Sequence, residues 1–136
     1  MSKKTGIIVI ILSVAAIALS VVSLVHSTGS PDVQYVMYIG TNDKDTNEPI
    51  CTPDEAKDIV EDVLIDHFGG YTIQEANGGW EDDGMRYKEY SVVAIISDTD
   101  LGTVHSAADV LCEKLNQSSI LIQTNETKTE FYEGRR

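Results

Sequence analysis

An α+β sandwich behind an N-terminal membrane helix is what this sequence predicts, and three observations carry that expectation. Residues 6–25 (GIIVIILSVAAIALSVVSLV) form an apolar run without a charge, directly behind Lys3 and Lys4. Beyond it, stretches of strand character and of helical periodicity follow one another in the order β-α-β-β-α-β. That order, closed with right-handed crossovers, describes a ferredoxin-like sandwich: a four-stranded antiparallel sheet with two helices on one face.

The apolar run spans residues 6–25, enough to cross a hydrocarbon core of roughly 30 Å. A cleaved leader would have an apolar core of about 7–15 residues and a small-x-small exit, so the run reads as a transmembrane signal anchor. The two lysines favour a cytoplasmic N-terminus. The expected layout is a cytoplasmic tail over residues 1–5, a single membrane pass over 6–25 and a polar linker over 26–32 (HSTGSPD). Residues 33–136 then form one extracytoplasmic domain at the cell membrane, too short for two cores.

Val33 to Gly40 (VQYVMYIG) is rich in β-branched and aromatic residues and reads as the first strand. The clearest element follows. Thr52 can cap a helix, Pro53 suits its first turn, and Glu55 completes a capping box. Ala56, Ile59, Val60, Val63, Leu64, His67 and Phe68 recur at helical spacing until Gly69-Gly70 stops the helix. Tyr71 to Ala76 and Lys88 to Ser97 read as the second and third strands, with Asp83-Gly84 as the hairpin turn between them. A second helix starts near Asp98 to Asp100 with Leu101, Val104, Ala108, Leu111 and Leu115 on one stripe. Ser119 to Thr124 makes the fourth strand, with Thr127 to Tyr132 as a candidate continuation.

Strand parity has a consequence for partners. Val33, Tyr35, Met37 and Ile39 oppose Val36 and Tyr38 in the first strand, and Tyr90, Val92, Ala94 and Ile96 oppose Val93 and Ile95 in the third. Both faces are partly apolar, yet two helices cover only one. A second subunit in a homodimer, a small ligand, or the C-terminal tail around Phe131 and Tyr132 are the candidates for the other.

Several landmarks run the length of this domain: Tyr38-Ile39-Gly40 closing the first strand, Phe68-Gly69-Gly70-Tyr71-Thr72 between helix and strand, and Gly78-Gly79-Trp80 in the hairpin. Gln117-Ser118-Ser119-Ile120-Leu121, with one additional Ser, leads into the last strand. Together they resemble a family of small bacterial exported proteins grouped as a domain of unknown function. The resemblance spans residues 33–132 and implies the same fold and an exported location, but no activity, substrate or cofactor.

The charge excludes some functions. Behind the membrane run stand 22 acidic residues against 8 basic ones, a formal −14. Such a surface repels nucleic acid and anionic headgroups. No phosphate loop, dinucleotide fingerprint or nucleophile elbow is present, so no cofactor and no catalytic residue is assigned. Cys51, before the first helix, and Cys112, in the last turns of the second, are brought towards one another by antiparallel helices. They are candidate disulfide partners in an exterior compartment, the alternative being two reduced thiols. Asp43, Asp45 and Asn47 offer oxygens at alternate positions as a calcium loop does, but Glu48 stands where such a loop needs glycine, and a plain solvated loop is the alternative.

The remaining cluster is Trp80, Arg86, Tyr87, Glu89 and Tyr90 around the hairpin, with Tyr38 beside it on the sheet. Rings with one cation and one carboxylate are the ingredients of a binding patch, and also of a hairpin packed on a sheet. The expected function is a membrane-anchored binding or interaction module. The alternatives are a small enzyme with its site on the open sheet face, for which Glu89 and His67 are the acid or base candidates, and an accessory subunit contacting its complex through Ala15, Ala16, Ala18 and Ser20 of the anchor.

Overall fold

The structure is a computed structural model that describes residues 32–135. The expected anchor, the expected cytoplasmic tail and nearly all of the expected linker lie outside the described residues. Among the described residues, no helix is long and apolar enough to cross a membrane.

The elements follow the predicted order: β1 (Asp32–Gly40), α1 (Pro53–Phe68), β2 (Thr72–Asp82), β3 (Met85–Ile96), α2 (Leu101–Lys114) and β4 (Leu121–Thr127). The sheet order is β2-β3-β1-β4, with every neighbouring pair antiparallel. This is a ferredoxin-like α+β arrangement.

Local chemistry accounts for the boundaries. The Thr52 hydroxyl accepts from the Glu55 backbone N–H at 3.3 Å while Oε2 of Glu55 accepts from the Thr52 N–H at 2.9 Å, so the capping box at α1 is complete. Gly69, at φ 68°, ends α1 in the left-handed conformation that a side chain resists. Asp100 caps α2 through Thr103, and these donors hold its carboxyl below the usual range.

The hairpin departs from expectation. β2 and β3 run longer than predicted and stay paired from Thr72↔Ile95 to Asp82↔Met85. Asp83 and Gly84 both take positive φ, 48° and 78°, which a two-residue primed turn requires, so pairing continues to the turn itself. β1 pairs with β3 only as far as Gly40↔Ser91, so the distal half of the hairpin projects beyond β1. At the C-terminus the strand ends at Thr127, and residues 128–132 do not extend it.

The core lies between the helices and one sheet face. Met37, Ile39, Val60, Leu64, Val92, Val104, Leu111 and Leu115 are fully buried there. Burying a side chain of this size contributes roughly 1.5–3 kcal/mol each.

Candidate functional site

Register places Val36, Tyr38 and Gly40 of β1 on the uncovered face with Gln74, Ala76, Gly78 and Trp80 of β2. Tyr87, Glu89, Ser91, Val93 and Ile95 of β3 and Leu121 and Gln123 of β4 complete that face. Tyr38, Trp80, Tyr87 and Glu89 therefore share a surface, as the sequence led one to expect. Trp80 and Tyr87 are direct cross-strand partners, stacked with ring centroids 5.3 Å apart. Tyr38 donates its hydroxyl to Gln123 at 3.1 Å. Arg86 meets them only along the cleft that follows the hairpin. Its parity is opposite, its guanidinium is almost fully exposed, and it pairs with Glu81 at 3.1 Å.

Glu89 is the centre of the arrangement. The chain turns out of β1 at Gly40, and the next two backbone N–H groups, of Thr41 and Asn42, donate to Oε2 of Glu89 at 3.0 and 3.2 Å. Thr41 and Asn42 are themselves buried. Their side chains tie the same corner to β3: the Thr41 hydroxyl donates to the Tyr90 carbonyl at 2.6 Å, and Asn42 Nδ2 donates to the Lys88 carbonyl at 3.2 Å. Gln117 Nε2 donates to the Asn42 carbonyl from the far side.

Two glycines make the room. A Cβ on Gly40 would stand 2.6 Å from Oε2 and 2.8 Å from Oε1 of Glu89. One on Gly78, the direct partner of Glu89, would stand 3.3 Å from its Cγ and 3.0 Å from the Ser91 hydroxyl. The carboxylate thus sits in a hollow of the sheet surface that any larger residue at position 40 would fill.

Two adjoining clefts open on this hollow. One, of about 740 Å³, runs along the projecting hairpin to Asn42 and Pro49. The other, of about 360 Å³, lies between Tyr38, Gly40, Lys44, Ser118 and Leu121. Both are walled by Asn42, Trp80 and Glu89. Asn42 Oδ1 is buried without a hydrogen-bond donor, a polar atom left unmatched where the clefts meet.

Other candidates resolve differently. Asp43 caps its own turn, accepting from the Asp45 and Thr46 N–H groups at 2.8 and 3.0 Å and from Asn116 Nδ2 at 2.8 Å. Asn116 above all, and those N–H groups with it, lower its pKa. Asp45 binds Lys44 and Asn116, with Lys44 the larger cause of its lowered pKa. The Asp43, Asp45, Asn47 segment thus forms a hydrogen-bonded turn tied to Asn116. No cluster of three or more His, Cys, Asp or Glu side chains able to hold a metal occurs among the described residues.

Cys51 and Cys112 both stand as free thiols in the structure, each half-buried, and burial raises both pKa values. His67 puts Nδ1 2.8 Å from the Val63 carbonyl one turn earlier, which satisfies it locally. Thr41 and Asn42 escaped sequence reasoning, because two polar residues after a strand look like ordinary loop. Only Gly40, closing the strand ahead of them, hinted at close packing.

No protein-family model matches the chain, and no curated protein matches it. Solved structures do share its fold. A phage SAM lyase in complex with S-methyl-5'-thioadenosine is 21% identical, at a TM-score of 0.55 over 77% of this chain and 95% of that one. A phage SAM lyase in its apo state gives a TM-score of 0.52, also at 21% identity, over 78% and 96%. CutA from Synechococcus elongatus follows at 0.48 and 10% identity, over 73% and 80%. These likenesses concern the fold.

Proposed function

We propose that this protein is a membrane-anchored, extracytoplasmic binding module that takes a small ligand at the Glu89 hollow, the ligand carrying a flat ring and hydrogen-bond donors. The observation that carries the reading is the pinned carboxylate. Oε2 of Glu89 is held by two backbone N–H groups, while Oε1 accepts no hydrogen bond among the described residues, and Glu89 lines both clefts beside the Trp80–Tyr87 pair. A preorganised acceptor beside an aromatic wall matches what small-molecule sites use, a mostly apolar cleft with a few placed polar groups. The larger cleft is within the range of such sites, about 300–1,000 Å³.

A nucleoside has both features, a ring to lie on Trp80 and hydroxyls to donate to Glu89. The S-methyl-5'-thioadenosine bound to one phage SAM lyase of this fold makes that compound the natural first probe. Calorimetric titration of the full chain in detergent should give saturable binding of S-methyl-5'-thioadenosine that Glu89→Gln weakens about tenfold or more. No heat at millimolar probe would overturn the nucleoside choice, and binding untouched by Glu89→Gln would overturn the site.

The enzyme reading has one observation in its favour, the same unclaimed Oε1, because a fixed carboxylate in a hollow can also take a proton. Incubating the chain with SAM and assaying for S-methyl-5'-thioadenosine separates the two, since a binding module releases none.

A further inference from the structure

We infer that a second copy of this chain covers the open sheet face, sheet against sheet, and so closes the Glu89 hollow from water. The inference goes beyond ligand binding and does not depend on it.

The argument begins from charge. The domain carries a formal −14, and acidic side chains line its loops and the outer faces of both helices. The open face is the exception. Apart from Asp32 and Asp82 at its margins, the residues that register places there are Gln34, Val36, Tyr38, Thr72, Gln74 and their neutral neighbours, and Glu89 is the one charge. Two bodies of equal strong negative charge repel over nearly all their surface and meet most readily where carboxylates are fewest. A cationic partner would instead be drawn to the acidic faces.

Exposure points the same way. Leu121 is 60% and Tyr38 39% exposed on this face, with Val36, Val93 and Ile95 half-buried around them. The C-terminal tail reaches only one end of the face: Phe131 borders Gln34, Thr72 and Ile95 there, yet it and Tyr132 remain 78% and 73% exposed, which leaves Tyr38, Val93 and Leu121 without cover from the tail. A small ligand at Glu89 reaches only the hairpin end. A matching face of a second copy covers the whole, since antiparallel sheets stack face to face about 10 Å apart. Seated there, the copy stands over Tyr38 and the mouth of the smaller cleft.

The experiment is sedimentation equilibrium of the full chain in density-matched detergent without ligand, comparing wild type, Val93→Glu and Ile65→Glu. Ile65 is 45% exposed on α1, away from the sheet. A reversible dimer is expected, its dissociation constant raised about 30-fold or more by Val93→Glu, because two like charges would face one another across the interface. Ile65→Glu should leave it within about twofold. Raising sodium chloride from about 0.1 to 0.5 M should tighten the dimer, since screening removes the repulsion between copies while the interface has no ion pair to lose. Should Val93→Glu lose its circular-dichroism melt, Gln123→Glu, at an exposed position on the same face, reads the same quantity. A monomer at all concentrations, a dimer indifferent to the open-face charges, or one loosened by salt would overturn the inference.

Discussion

The two faces of this sheet are built from alternate residues of the same strands, yet they do different work. On the helix side, Met37, Ile39, Val92 and Ala94 are wholly inaccessible, and each contributes through the water it excludes. On the other side, Tyr38, Gly40, Gly78, Trp80 and Glu89 stand at the neighbouring positions, Tyr38 exposed and the rest half-buried. There the side chains are aromatic, small or amide, and the one central carboxylate is held by the backbone of the adjoining corner. The difference teaches that stability and the proposed ligand recognition are separable in this domain. The helix face can be weakened without touching the site, and the open face rebuilt without unfolding the chain.

The largest effect that would test this separation belongs to the core. Leu64→Ala removes a fully buried side chain between α1 and the sheet and should cost about 2–5 kcal/mol in denaturant melts. Ligand affinity measured on its folded fraction should stay within about twofold. An equal loss of affinity would show that the two faces are coupled.

Next comes Glu89→Gln. Ligand affinity should drop about 10- to 100-fold, the range of hydrogen bonds to charged groups, while stability falls by about 1–2 kcal/mol as two charge-assisted N–H bonds become neutral ones. A calorimetric titration beside a thermal melt reads both.

Gly40→Ala sharpens the comparison further. Its Cβ would meet the Glu89 carboxylate at 2.6 Å, and the carboxylate is the free end of a flexible side chain. The group should swing away, so the melt shifts by only about 1 kcal/mol while affinity falls as far as in Glu89→Gln. A large stability loss with intact affinity would mean that the hollow is structural.

The smallest effects concern the turn and the thiols. Asp43 titrates below its ordinary value in the folded chain, so its contribution is full above the unfolded value near 4 and is lost as pH falls through the folded one. Melting temperature should therefore fall less steeply on the acid side in Asp43→Asn than in wild type. Cys51 and Cys112 should both react with a thiol reagent in the unreduced chain, slowly near neutral pH because burial holds them protonated. One disulfide instead would place the pair in contact after all.

Much of this could be read from residues alone because the signals are local. A capping box needs only Thr52 and Glu55, a helix stop only Gly69, a primed turn only Asp83 and Gly84, and the burial of a strand face only its alternation. Hence the element order, the ferredoxin-like arrangement and the identity of the uncovered face followed from sequence, as did the grouping of Trp80, Tyr87 and Glu89. Arg86 lines the same cleft from the opposite parity, since a hairpin that stays paired to its turn starts its side chain on the other face.

What the chain folded decided is whatever depends on distant segments meeting. Thr41 and Asn42 lie more than 40 residues from Glu89, and nothing in their spacing foretells that their N–H groups will hold its carboxylate. The tie between Asp43 and Asn116 spans 73 residues and fixes the acidic segment as a hydrogen-bonded turn. Local sequence sets backbone preference and periodicity within a few residues. A site assembled from a strand end, a hairpin and a loop exists only once the sheet register has placed them side by side, and that placement is a property of the whole packed core.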